Sequence, residues 1–303
     1  MSFVLDGIEV RQLSIDEFAA LQTCGANDPA IAGLRDEVQR AFTHGSRALL
    51  LRAGHGQARS EAAFARALQT VGSWLGTASP QSPEGETVAR VESRPDDPQR
   101  RGTHSEDELQ PHTDLHDILA LGCVRQAATG GASFLVSAET LREHMAREHP
   151  EAMPALQQGY YLGTNPALQS RCRVSKDKVP IFMESAGRTL VCWNGYFLRA
   201  AGASRDETPP ADLEQALAQL RSTACRLAAA SPFMLEPGDM LFWHNWTWLH
   251  GRTAFADDAA RPRLLLRLWL RSALVPRPDV LSQLAERIDD DHLLTRELGY
   301  RQI

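Results

Sequence analysis

The sequence predicts a mostly β chain with flanking helices, its strands closing into a sandwich or barrel. Three observations predict it. Short apolar runs crowd the chain from Asp117 onward, separated by Gly, Pro and polar turns. Helical spacing of apolar residues is concentrated before Leu75, in two later segments and in the tail. No internal repeat or low-complexity stretch interrupts the pattern, so 1–303 reads as one domain.

Taken in order, Val4 to Val10 reads as a strand. Ser14 and Glu17 stand at capping-box separation and start a helix. Ile31, Leu34, Val38 and Phe42 predict a helix from Ala30 to Phe42, and Arg47 to Arg52 a buried strand. Ser60 caps a further helix to Leu75, lined by Phe64, Leu68 and Val71. Thr77 to Glu86 and the polar stretch 94–108 read as loops. The second leads straight into His112 and is a candidate lid. Strands are then expected at Ile118 to Arg125, Ser133 to Val136, Gly159 to Leu162 and Val179 to Glu184. Others follow at Leu190 to Trp193, Phe233 to Leu235, Met240 to Trp248 and Arg263 to Leu270. Helices are expected at Ala138 to His149 and Ala211 to Ala229. In the tail, 278–303, Leu281, Leu284 and Ile288 share a helical face, which predicts a closing helix or a contact in a homo-oligomer. Residues 1–109 thus form an N-terminal part of helices and strands, and 110–271 the core.

Composition narrows the partners. A net charge of −6 with 43% hydrophobic residues supports a full core and argues against nucleic acid. All but two of the 32 basic residues, Lys176 and Lys178, are Arg, so one Arg near a site is weak evidence. Cys24, Cys123, Cys172, Cys192 and Cys225 form no Cys-x-x-Cys pair. They read as reduced thiols of a cytoplasmic protein. No basic leader and no apolar run of bilayer length is visible, so no membrane partner is expected.

The chemistry concentrates at Pro111-His112-Thr113-Asp114 and at His250-Gly251-Arg252. On a strand, residues two apart share a face, so His112 and Asp114 can meet one metal. Pro111 suits a strand start. With His250 they would supply two imidazoles and a carboxylate, the donor set of mononuclear Fe(II) centres with open positions for dioxygen. With ten His in the chain, a His-x-Asp alone is a weak signal. His116, four residues from His112, offers a rival: a helical zinc pair in a hydrolase, which requires a helix at His112. Oxidation by dioxygen at Fe(II) needs two further electrons, which 2-oxoglutarate can supply. Its distal acid needs a fixed cation, and Arg263 and Arg267 lie four apart on a strand beyond His250.

At these residues the chain resembles the taurine dioxygenase, γ-butyrobetaine hydroxylase and clavaminate synthase-like group of Fe(II)/2-oxoglutarate oxygenases. The resemblance rests on Gln110 to Asp114, Thr129 to Val136, Glu236 to Asp239, His244 to Phe255 and Arg263 to Arg267, in the family's order. It implies a double-stranded β-helix (jelly-roll) core and iron ligation by His112, Asp114 and His250. It implies that Arg263, helped by the Ser133 hydroxyl, holds the distal carboxylate of 2-oxoglutarate. Arg267 would lie near a substrate or co-substrate acid group, and Arg252 would hold the metal strand. Asn245 occupies a recurrent position. Because Asp114 is a carboxylate, the resemblance implies hydroxylation, desaturation or cyclisation rather than halogenation.

The expected substrate is a small amino acid or carboxylic acid derivative, hydroxylated at an aliphatic carbon with release of succinate and CO2. Arg90 and Arg94 are further candidates for its carboxylate. Trp193, Trp243, Trp246 and Trp248 are candidates for core or for an aromatic wall. A non-catalytic jelly-roll binding protein stays open as the other alternative.

Overall fold

The computed structural model describes residues 2–23, 25, 27–54, 60–81, 85–94, 104–163 and 174–283. Of the described residues, 38% are helix and 28% strand, so mixed sheets with helices replace the mostly β expectation. Part of the excess lies in helices that short apolar runs do not announce.

The N-terminal part begins with two strands, β1 (Ser2–Leu5) and β2 (Ile8–Gln12), where one was expected. Asp6 and Gly7 both have positive φ, 46° and 86°, and this Asp-Gly pair turns the chain back as a hairpin. Helix α1 (Ile15–Thr23) starts at the capping box: Glu17 N donates to Ser14 Oγ, and Ser14 N to Glu17 Oε2. Then come α2 (Ala32–Thr43), β3 (Ala48–Arg52) and α3 (Glu61–Leu75), the last capped by Ser60. Short strands β4 (Thr77–Ala78) and β5 (Val88–Val91) follow.

The central stretch holds β6 (Leu109–His112), β7 (Ile118–Arg125), β8 (Thr129–Gly130), β9 (Ser133–Ser137), α4 (Ala138–Glu148) and α5 (Met153–Gln158). Next are β10 (Phe182–Ser185), β11 (Arg188–Val191), α6 (Gly195–Arg205) and α7 (Ala211–Ala230). Helix α6 is unexpected; Asn194 caps it by accepting Tyr196 N. Gly159 to Leu162 and Phe233 to Leu235 make only single bridges. The chain ends its sheets with β12 (Met240–His244), β13 (Trp248–Arg252), β14 (Phe255–Ala256) and β15 (Leu264–Arg271). The single strand expected from Met240 to Trp248 is thus two strands, broken where Thr247 N bonds back to His244 O.

The large sheet runs β1-β2-β3-β12-β7-β15-β4, with β5 also on β15. The small sheet runs β6-β13-β9. Side-chain alternation sorts the strands into layers. From the large sheet, Leu49, Leu51, Met240, Phe242, Leu266 and Leu268 face α1, α2 and α3. The opposite set, Leu50, Leu119, Leu241, Leu265 and Trp269, meets Leu135 and Trp248 of the small sheet. Beyond the small sheet, Phe134, Val136 and Leu249 pack on α4, α5 and α7. The two sheets therefore enclose an inner layer, with helices on both outer faces.

Asp117, fully buried, locks the end of this stack. It accepts from Arg277, Trp246 Nε1 and Ser272 N, and its own carbonyl accepts from Asn245 N. The tail enters a helical turn at 279–283, with Leu281 buried; Leu284 and Ile288 lie outside the described residues. So do Cys24, Cys172 and 95–103 of the candidate lid. Cys123, Cys192 and Cys225 are free thiols. Among the described residues no helix is long and apolar enough to cross a membrane.

Two outcomes are expected. Arg277→Ala leaves the Asp117 carboxylate buried beside only its neutral donors and should cost about 3 kcal/mol in denaturant unfolding. Adding Asp117→Asn should restore part of the loss; no restoration refutes the pairing. Burial pushes the Asp239 carboxyl up to about 6, against the pull of Glu236 N–H and Arg52. The unfolded chain releases this proton near pH ~4, while the folded chain still holds it, so stability falls as pH rises from about 4 to about 6. Asp239→Asn should flatten that part of the Tm-against-pH curve.

Candidate metal centre

The small sheet brings the predicted metal-site residues together. Strand β13 pairs antiparallel with β6, and His250 stands opposite His112. Paired residues point to the same face, so both imidazoles enter the inter-sheet space, with ring centroids 4.2 Å apart. Asp114 follows two residues after His112. One donor atom from each of His112, Asp114 and His250 lies within 4.8 Å of the others. Gly251 lets the strands close: a Cβ there would sit 2.2 Å from Leu109 O and 2.6 Å from Phe134.

Each member is held from behind. His112 Nδ1 lies 2.8 Å from Gln110 O, which orients the ring and leaves Nε2 facing Asp114 Oδ1 at 3.8 Å. The Asp114 backbone is clasped by Asn245, whose Oδ1 accepts from Asp114 N and whose Nδ2 donates to the carbonyls of Asp114 and His116. Between the two, Thr113 is buried; its N–H donates to Trp193 O, and its hydroxyl accepts from Trp193 N. The ring of His250 lies 4.9 Å from Trp243. Burial first, then the His112 and Arg267 charges, lowers its pKa well below the ordinary value, so the ring is neutral and offers a lone pair. His250 Nδ1 is buried with no hydrogen-bond partner among the described residues. Two imidazoles and one carboxylate fit a divalent metal with open positions.

The predicted cations gather beside the triad. One cavity is lined by all three, with Ser133, Arg252, Arg263, Arg267 and the apolar Val91, Leu109, Leu119, Leu121, Trp243 and Leu265. Arg263 is 3% exposed, yet its guanidinium hydrogen-bonds to none of the described residues. It lies over the Phe255 ring at 5.1 Å, and Arg252 lies over the same ring at 4.6 Å. Burial lowers the pKa of both guanidinium groups, that of Arg252 to about 10. Arg252 donates to the carbonyls of Ser105, Glu106 and Asp107, which fastens the described end of the candidate lid to β13. Arg267 Nε donates to Gln81 Oε1 at 2.7 Å, and its guanidinium lies 4.1 Å over Trp269.

A profile of the taurine catabolism dioxygenase TauD, TfdA family matches residues 17–269. This chain belongs to that family. It is 33% identical over 171 residues to uridine-5'-phosphate dioxygenase of a Streptomyces species, covering 52% of this chain and 59% of that one. It is 29% identical over 220 residues to FR-33289 synthase of Streptomyces rubellomurinus, covering 66% and 61%. The chain thus spans about three-fifths of these curated relatives. Its fold resembles that of asparagine oxygenase in complex with Fe(II), 2S,3S-3-hydroxyasparagine and succinate (TM-score 0.66, 17% identity, 86% of this chain and 93% of that one). It also resembles non-heme iron oxygenase OrfP in complex with Fe and alpha-ketoglutaric acid (TM-score 0.62, 15% identity, 88% and 94%).

The rest of the expected site is redistributed. Arg90 and Arg94 are surface residues in ion pairs with Glu61 and Glu92, and neither lines the cavity. Trp243 and Trp248 face the inter-sheet layer, whereas Trp246 and Trp193 pack beyond the small sheet. His116 stacks on Trp269 at 4.5 Å and is no part of the metal-binding group. Gln81 and Trp269 were not among the expected site residues. Gln81 lies in a Ser/Pro loop and Trp269 in an apolar strand, so only folding reveals that both position Arg267.

Asn245→Ala should leave the Asp114 segment without its clasp. A loss of roughly 10–100-fold in divalent-metal affinity is expected from a supporting group of this kind. Titration of the apo protein with Co(II) measures it; unchanged affinity in a folded variant would refute the clasp.

Proposed function

We propose that this chain is an Fe(II)- and 2-oxoglutarate-dependent dioxygenase that hydroxylates an aliphatic carbon of a small amino acid or carboxylic acid derivative. The observation that carries it is the convergence of His112, Asp114 and His250 beside a buried Arg263 whose Nε has no hydrogen-bond partner among the described residues. Facing sheets with the centre between them support a double-stranded β-helix core in a single domain. Free thiols support a reducing, cytoplasmic setting.

Ferrous ion with 2-oxoglutarate bound there would supply dioxygen activation, oxidising the substrate C–H to C–OH and the co-substrate to succinate and CO2. The chain's own residues do the rest. His112, Asp114 and His250 would hold the metal. Arg263 offers its guanidinium fork to the distal carboxylate of 2-oxoglutarate, and the Ser133 hydroxyl lines the same cavity. Arg267, its Nε held by Gln81, lines the same cavity and would meet an acid group of substrate or co-substrate. Val91, Leu119, Leu121, Trp243 and Leu265 keep bulk water from the reacting carbon. The asparagine oxygenase and OrfP complexes, which hold hydroxylated amino acids, support the substrate class. Desaturation or cyclisation at the same centre is the alternative outcome. The zinc hydrolase reading loses its support, because His112 closes a strand and His116 stacks on Trp269.

Anaerobic Fe(II) and 2-oxoglutarate should produce a visible charge-transfer band, absent in His112→Ala. In Arg263→Gln the band should need on the order of 100-fold more 2-oxoglutarate. No band from the folded wild-type protein would favour a binding protein instead. Succinate formation stimulated by small amino acids, with uridine-5'-phosphate as comparator, then identifies the substrate.

A further inference from the structure

Trp243 lines the cavity and carries a polar atom that no described residue answers. We propose that its indole N–H is a ligand-binding donor, placed for the carboxylate through which a 2-oxo acid chelates the metal. This inference rests on the dioxygenase reading and adds a binding residue to it.

Trp243 lies on β12, where Leu241 and Trp243 face the inter-sheet layer. The residue is 1% exposed, and its ring lies 4.9 Å from the His250 ring. Its Nε1 is buried with no hydrogen-bond partner among the described residues. A buried indole N–H ordinarily finds an acceptor. The next two tryptophans do: Trp246 Nε1 donates to Asp117 Oδ1, and Trp248 Nε1 to Ser46 O. Trp269 Nε1 also has no partner, but Trp269 does not line the cavity, and Arg267 and His116 lie against its ring.

The cavity wall holds few side-chain acceptors. His112, Asp114 and His250 are taken by the metal, which leaves the Ser133 hydroxyl. Ser133 stands opposite Arg252, two residues along β13 from His250, on the side of Gly131 and Arg263. Strand register sets the ends of the cavity. Trp243 is level with Leu119, and Leu119 with Trp269 of β15. Arg263 precedes Trp269 by six residues, roughly 20 Å of extended chain. Arg263 and Trp243 therefore reach the cavity from opposite ends, with His250 at the Trp243 end and Arg267, level with Leu121, between them. A 2-oxo diacid whose distal carboxylate meets Arg263 turns its chelating carboxylate toward Trp243. That carboxylate keeps lone pairs off the metal, and the Val91, Leu119 and Leu121 side chains have no donor to offer them. The Trp243 N–H has one, and an acceptor there would relieve its own buried, unmade bond.

The test is anaerobic titration of the Fe(II)-loaded full chain with 2-oxoglutarate and with pyruvate, followed by the charge-transfer band. Pyruvate has the chelating 2-oxo acid but no distal carboxylate. Trp243→Phe keeps an aromatic ring beside His250 and removes the N–H. It should weaken both ligands roughly tenfold or more. It should also move the band to shorter wavelength and leave Co(II) affinity unchanged. Arg263→Gln should weaken 2-oxoglutarate alone. Wild-type affinities and band position in folded Trp243→Phe overturn the proposal, and so does a loss confined to 2-oxoglutarate. If Trp243→Phe does not fold, the NMR signals of the indole N–H protons in Zn(II)-loaded wild type decide. One should move downfield as pyruvate binds; no movement overturns the proposal. No band in folded wild type would sink the dioxygenase reading itself, and this donor with it.

Discussion

The β6–β13 pairing is the constraint on which the rest of this molecule depends. Register sets His250 opposite His112, and a slip of one residue would turn one imidazole toward the helices. The register is enforced from both sides. Gly251 admits the Leu109 carbonyl and the Phe134 ring where any side chain would collide. On the far edge of β13, pairing with β9 sets Arg252 opposite Ser133 and His250 opposite Leu135. Two neighbouring strands thus specify one register, and the metal-binding face follows from it.

A second theme is cationic charge buried against aromatic rings. Arg252 and Arg263 flank the Phe255 ring, and Arg267 lies over Trp269. Arg252 donates to backbone carbonyls, and Arg267 to the Gln81 amide oxygen. Burying these guanidinium groups is costly. Stability is given up locally and recovered in the flanking layers, where Phe18, Phe42, Phe64 and Trp246 are almost fully buried.

The candidate metal ligands were legible because ligand chemistry is local. His112 and Asp114 are two residues apart, and a strand puts them on one face wherever it runs. Helices with caps and long apolar faces were legible as well, as at Ser14, Ser60 and Ala138. What failed were breaks inside apolar runs. Asp6-Gly7 and Asn245 interrupt stretches whose composition favours continuous strand, and α6 begins where Asn194 finds an amide to cap. The break at Asn245 also sets Trp246 on the opposite face from Trp248.

By itself, the sequence determined which side chains could bind a metal and an acid, because donor type and strand periodicity are properties of a few adjacent residues. The tertiary structure alone decided which arginines matter. Arg263 and Arg90 are identical in chemistry, yet one is sealed between sheets beside Phe255 and the other meets Glu61 on the surface. That difference is one of dielectric surroundings and of partners far apart in the chain, and no local pattern encodes it.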